Sequence, residues 1–208
     1  VEPAICKTFC SDMAWVVVND NVMGGRSQGG PRYEGGALVF AGFTNTIGGG
    51  FSSLRSVPAR WDLSEYDAIK LRVRGDGRTY RVDLRTDAWY DDHEVAYQGP
   101  FTAGSSQTVL GETGPRDGDG WTEVIVPFAR FIATSKGDDV TGLVPPLDLS
   151  NIRRVGLIIN DGIHGEFELH VDRMEAVTLP VPTDIREQRA LQAERLDALL
   201  GQLGSASR

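Results

Sequence analysis

Lysine is nearly missing from this chain of 208 residues: only Lys7, Lys70 and Lys136 occur, and arginine carries almost all the positive charge. With 21 basic against 29 acidic residues the net charge is −8. That balance argues against nucleic acid as a general partner, because binding a phosphate backbone needs a basic face. Long apolar runs are absent too. None approaches the roughly 20 residues of a membrane-spanning helix, so no transmembrane segment is expected. Cysteine is confined to Cys6 and Cys10. A metal pair there would need two further ligands, and neither a second cysteine pair nor a histidine cluster offers them. A short-loop disulfide is the first reading of Cys6 and Cys10, with two free thiols next.

What the sequence does have is period-two alternation between glycine-rich turns. Trp15–Asn19 reads as a buried strand, and Ala37–Gly42 and Phe51–Ser56 as short ones. In 68–86, Ile69, Leu71 and Val73 alternate with Lys70, Arg72 and Arg74; Tyr80, Val82 and Leu84 alternate with Arg81, Asp83 and Arg85. Asp76-Gly77 between them is a strong two-residue hairpin signal. Further strands fit 94–98, 121–126, 152–160 and 166–177. Such strands without intervening helices predict an all-β chain, a sandwich or barrel. The polar segments 102–120 and 133–150 read as loops. Trp15, Phe40, Phe51, Trp121, Phe128, Phe131, Leu157, Phe167 and Leu169 are the expected core. Residues 1–11 form an N-terminal segment, 12–180 the sandwich domain, and 181–208 a tail. In the tail, Ile185, Leu196, Leu199, Leu200 and Leu203 share one side of a helix expected between about 183 and 203.

Motifs that suggest catalysis fail on context. Gly25-Arg-Ser27-Gln-Gly29 matches a nucleophile elbow, but that device needs a strand-to-helix turn, and Gly29-Gly30-Pro31 cannot open a helix. Ser27 is better placed to hydrogen-bond its own turn. Asp91-Asp92-His93-Glu94 resembles a metal cluster, yet an extended segment alternates sides and at most two of the four converge on one ion. Gly24-Gly25 and Gly48-Gly49-Gly50 precede no Gly-Lys-Ser/Thr string and no helix, so they are not phosphate loops. No dinucleotide fingerprint occurs. The expected cofactor list is empty, and no catalytic residue set emerges.

Two features do ask for a partner. If Asp76-Gly77 closes a hairpin, Arg72 and Arg81 stand opposite one another on its outer face, with Arg74 and Arg85 beside them, and like charges in that position repel. An anion must answer them, either internal (Asp20, Glu123 or Asp172) or a carboxylate or phosphate on a ligand. Trp89 and Tyr90 lie in a polar stretch, where exposed aromatics would stack on a sugar or a partner protein.

The most specific strings are Asn19-Asp-Asn-Val-Met-Gly-Gly-Arg-Ser27 and Gly48-Gly-Gly-Phe-Ser-Ser-Leu-Arg55. They are followed by Leu-Arg-x-Arg-Gly-Asp-Gly at 71–77, Tyr97 and Phe101, the Trp-x-x-Val-x-x-Pro-Phe-x-x-Phe string of 121–131, Pro145-Pro-Leu-Asp, and strands at Ile152 and Gly165. In this order the set resembles the complex I intermediate-associated protein 30 family, whose eukaryotic members assist assembly of respiratory NADH dehydrogenase. The resemblance implies an antiparallel β-sandwich, a jelly roll like galactose-binding domains. It also implies a non-catalytic binding or assembly module. Its partner would be a protein, with a subunit of a respiratory or other membrane complex in view. The alternative is a carbohydrate-binding module using Trp89 and Tyr90, with a glycan as ligand. Candidate binding residues are Asp20, Asn21, Met23, Gly24, Gly25 and Ser27 on one loop, and Gly49, Gly50, Phe51 and Arg55 on the next. Arg72, Arg85, Trp89 and Tyr90 complete the set. A start without methionine and the cysteine pair suggest a bacterial chain exported to the periplasm or beyond, with a cytoplasmic location as the alternative.

Overall fold

The computed structural model describes residues 13–104, 112–113 and 118–179. The chain divides after Thr178, and every described strand belongs to the first unit. The helix expected over about 183–203 and the pair Cys6 and Cys10 lie outside the described residues.

Among the described residues fifteen strands run in order: β1 (Trp15–Asn19), β2 (Gln28–Glu34), β3 (Ala37–Thr44), β4 (Ser52–Ser56), β5 (Ala68–Gly75), β6 (Thr79–Arg85), β7 (Trp89–Tyr90), β8 (His93–Glu94), β9 (Ala96–Thr102), β10 (Glu112–Thr113), β11 (Thr122–Pro127), β12 (Ile132–Ser135), β13 (Asp138–Asp139), β14 (Arg154–Ile159) and β15 (Gly165–Val177). Single 3-10 turns occupy Asp20–Met23, Phe128–Arg130 and Leu149–Asn151. The strands form a seven-stranded sheet in the order β1-β4-β14-β6-β9-β12-β13 and a six-stranded sheet in the order β10-β11-β5-β15-β3-β2, with β7-β8 as a separate ribbon.

The two large sheets share one core. Leu38, Phe40, Ile69, Leu71, Val73, Leu169 and Val171 from the six-stranded sheet meet Leu54, Tyr80, Val82, Leu84 and Leu157 from the seven-stranded one. Phe40 and Phe167 pack edge-on at 4.9 Å, beside Tyr80 stacked on Phe101. Such pairs add about 0.5–1.5 kcal/mol each beyond the area they bury.

The alternation in 68–86 puts the expected residues inward, but no hairpin joins them. β5 pairs with β11 and β15, while β6 pairs with β14 and β9. Asp76-Gly77 therefore carries the chain across the sandwich, and the two alternating faces meet through the core. The turn is set by Asp76, whose carboxylate accepts from the Arg78 and Glu168 amides and from the Tyr80 hydroxyl. Arg72 does not face Arg81: the two occupy the outer faces of opposite sheets.

Three other expectations change. β1 is an edge strand, so Val16 and Val17 are exposed, not buried. The span 133–150 contains β12, which pairs with β9. Phe40, Leu157, Phe167 and Leu169 are buried as expected, but Trp15, Phe51, Trp121, Phe128 and Phe131 are only partly so.

Candidate functional site

The two glycine-rich signature loops are joined by one carboxylate. Asp20 is fully buried. Its Oδ1 accepts from the Ser27 amide at 2.8 Å, and its Oδ2 from the Ser27 hydroxyl at 2.6 Å and the Gly50 amide at 2.6 Å. The Phe51 amide adds a longer contact at 3.4 Å. Ser27 Oγ in turn accepts from the Asn45 amide at 2.9 Å. A β-carbon at Gly25 or Gly49 would collide with the Asp20 carboxyl group, so only glycine lets both backbones close on it. Burial opposes ionisation of Asp20, but the bonds from Ser27, Gly50 and Phe51 outweigh it and hold the carboxyl below its ordinary range. Asp20, Gly25, Ser27, Gly49 and Gly50 are thus brought together as an internal clamp, in which Ser27 bonds back to Asp20 within its own loop. Met23 and Val22, on the 3-10 turn, and Ile47, in the second loop, are left at 61%, 69% and 76% exposure; Asn21 is exposed beside them. Gly24 takes the left-handed conformation that ends the turn (φ 86°).

Arg55 and Arg85 come together on the outer face of the seven-stranded sheet. Arg55, Gly156, Asp83 and Gln98 are cross-strand neighbours in one row, and Arg154 pairs with Arg85 in the next. Leu54, Leu157 and Val82 alternate with the first row and enter the core, so the row itself faces outward. Asp83 is buried and accepts from Arg85 Nε at 3.1 Å and Nη2 at 3.3 Å. Arg85 Nη1 also donates to the Glu94 carbonyl at 3.2 Å. Glu94 reaches Arg154 only at 4.0 Å. Arg55 has no such partner among the described residues: its Nε is buried and makes no hydrogen bond. Burial first, then repulsion from Arg85, pull its pKa below the ordinary value.

Arg72 sits elsewhere, on the outer face of the six-stranded sheet. Its Nη1 donates to Asp172 at 2.9 Å, and Asp172 stands at the β-bulge between Val171 and Arg173. Arg72 and Arg74 lie over the Trp121 ring at 4.9 and 5.0 Å. The tryptophan expected in the core is therefore a cation-π platform between two guanidinium groups. The single arginine-rich face expected from the sequence is divided between the two sheets.

Trp89 and Tyr90 lie on the β7-β8 ribbon, whose turn holds Asp91 and Asp92 at positive φ. Trp89 is 61% exposed. The ribbon ends at Glu94, beside Arg85, so it stands at the rim of the Arg55 face. Sequence reasoning missed Arg78. It is buried, grips Asp161 through Nε at 2.9 Å and Nη2 at 2.5 Å, and donates to the carbonyls of Ile163, Gly165 and Glu166 and to Thr44. Only the turn crossing between sheets brings these residues together. An apolar hollow of about 400 Å³ also forms where Tyr97, Phe128, Phe131, Val144, Pro145 and Leu147 meet.

Known proteins place this geometry. The sequence profile described as "Complex I intermediate-associated protein 30" matches residues 7–171. The chain belongs to that family. The mouse mitochondrial complex I intermediate-associated protein 30 is 27% identical over 190 residues, covering 82% of this chain and 54% of the mouse protein. The Drosophila mitochondrial protein of the same name is 28% identical over 118 residues, covering 54% of this chain and 34% of its own length. The chain thus spans about half or less of the curated relatives it matches. Both relatives are named as mitochondrial, and this overturns the periplasmic or extracellular expectation. Among solved structures, a family 11 carbohydrate-binding module of a cellulosomal cellulase from Clostridium thermocellum superposes with a TM-score of 0.59 at 16% identity, covering 86% of this chain and 95% of that one. A family 11 carbohydrate-binding module from Clostridium thermocellum in complex with a β-1,3-1,4-mixed-linked tetrasaccharide gives 0.53 at 15% identity, covering 81% and 89%. At that identity the likeness establishes the jelly-roll fold and carries no glycan over to this chain.

Proposed function

We propose that the chain is a non-catalytic assembly module that engages a protein partner of a respiratory complex through the exposed tips of its signature loops and the arginine face of the seven-stranded sheet. The observation that carries this is the Asp20 clamp. It immobilises two loops against each other while Val22, Met23 and Ile47 stay in solvent. Large apolar side chains held rigidly at a surface form a contact patch that loses little entropy on binding. Membership of a family named for a complex I intermediate supports this class of partner. A photo-crosslinking residue at position 23 or 47, used in mitochondrial extract, tests it. Crosslinks to complex I subunits or their assembly proteins are expected from both positions, and Met23→Asp placed in the position-47 probe should remove them. Equal yields of the same products from a control probe at Lys136, at the β12-β13 turn, would refute the loop tips as the docking surface.

A further inference from the structure

The outer face of the six-stranded sheet carries an open groove of about 560 Å³ where β3 and β15 run side by side. Phe167 and Leu169 enter the core, as does Phe40, so Glu166 and Glu168 point outward from β15, and Ala41 and Phe43 from β3. Glu166 is the cross-strand neighbour of Phe43, which faces Gln28 on its other side, and Glu168 is the neighbour of Ala41. Asp76 also lines the groove, where its carboxylate accepts from the Glu168 amide at 2.8 Å. Phe43 meets His164 edge-on at 5.0 Å, and the Thr46 amide donates to His164 Nδ1 at 3.4 Å. The groove therefore opens beside the second signature loop, next to the exposed Ile47.

Asp76, Glu166 and Glu168 all line this groove, and no lysine or arginine does. Two of the three carboxylates are answered from within the molecule. Glu168 accepts from Arg32 Nη2 at 2.6 Å and lies 2.8 Å from His170 Nε2. Asp76 is taken up by the Arg78 and Glu168 amides and the Tyr80 hydroxyl, and the Arg78 side chain is committed to Asp161. Glu166 is left over: its side chain is exposed and makes no hydrogen bond or ion pair among the described residues. Directly across the strand pair stands the exposed ring of Phe43. A free carboxylate beside an aromatic ring, in a groove of negative sign, suits a cation. A guanidinium answers both groups, since its plane stacks on a ring while its parallel N–H donors match two carboxylate oxygens. Glu168, two residues further along the strand and so about 7 Å away, adds attraction without giving up its own partners.

We propose that this groove is a binding site for an arginine side chain of the partner protein, with the guanidinium stacked on Phe43 and paired with Glu166 and the aliphatic stem over Ala41. The origin of that arginine rests on the assembly-module reading, which the site extends: a partner that covers Ile47 with an apolar residue sets a basic one beside it. The chemistry of the groove can be tested without any partner.

Purified protein is titrated with acetyl-Ala-Arg-Ala-amide, with the lysine and citrulline forms of the same peptide, and with a neutral β-glucan tetrasaccharide, while the backbone amide signals of residues 41–43 and 166–168 are followed by NMR. The arginine peptide should shift those signals saturably, and added sodium chloride should weaken its binding. The lysine form should bind about threefold more weakly and the uncharged citrulline form about tenfold more weakly. Glu166→Gln should weaken binding of the arginine peptide about fivefold and Phe43→Ala about threefold. Both side chains are exposed, so neither variant should unfold the sandwich, and an unchanged Tm checks that. Equal binding of the arginine and citrulline forms would overturn the cationic occupant, and tighter binding of the lysine form would overturn the stacked guanidinium. Saturation by the tetrasaccharide with no response to the arginine peptide would overturn the proposal in favour of a sugar site. No shift at these residues with any probe would overturn the site itself. Since no partner is present, none of these results depends on the crosslinking experiment, and loss of crosslinks at the loop tips would leave them unchanged.

Discussion

Ser27 donates its hydroxyl to the Asp20 carboxylate at 2.6 Å, and both residues are buried. Seven positions apart, they close the first signature loop on itself, while Gly50 brings the second loop to the same carboxylate. Asp20→Ala would leave the Ser27 amide and hydroxyl and the Gly50 amide without their charged acceptor. We expect a loss of about 4 kcal/mol, read as a shift of the urea midpoint. Ser27→Ala removes one donor and should cost about 1–2 kcal/mol.

The pH dependence follows from the sign of the Asp20 shift. Its folded pKa lies below the unfolded value, so its contribution is complete above about pH 4 and is lost as pH falls through the folded pKa. Asp161, where burial opposes ionisation but the bond from Arg78 prevails, acts in the same direction. Tm should therefore hold from neutrality to about pH 4 and fall steeply below it. Asp20→Asn should lower the plateau and flatten the acid slope. An unchanged slope would show that Asp20 titrates alike folded and unfolded.

Gly25→Ala should damage the fold mainly through Asp20, because the added methyl group would occupy the space of its carboxyl. In an Asp20→Ala background that collision is gone. A double-mutant cycle by urea denaturation should show the second substitution costing at least about 1 kcal/mol less than it does alone. Additivity would mean that the backbone, not the carboxylate, excludes the methyl group.

Arg78 is a second buried ion. Truncating it to alanine leaves Asp161 buried without its bidentate partner, and breaking such pairs costs about 3–5 kcal/mol. Arg78→Lys should recover little, since one ammonium cannot serve Asp161, Thr44 and three carbonyls together. Thermal unfolding of the two variants side by side checks this.

Much of this protein follows from local pattern. Period-two alternation in 68–86 and 165–177 marks which residues face the core, because a strand has only two sides. The glycine-rich strings mark places where something comes too close for a β-carbon, as at Gly25 and Gly49. What comes close is not local. The carboxylate of Asp20 reaches Gly50 across 30 positions, and nothing in either string says that the other supplies its donors. Asp76-Gly77 is compatible with a hairpin and with a crossing between sheets. The choice fell to the partners β11, β15, β14 and β9, which complete two sheets where a hairpin would have left β5 and β6 side by side. That choice separated Arg72 from Arg81, turned Trp121 outward onto two arginines, and set Arg55 beside Arg85 and Arg154. Which side of its strand a residue occupies was decided by the sequence; which charges became neighbours was decided by strand order, which depends on packing summed over the whole sandwich.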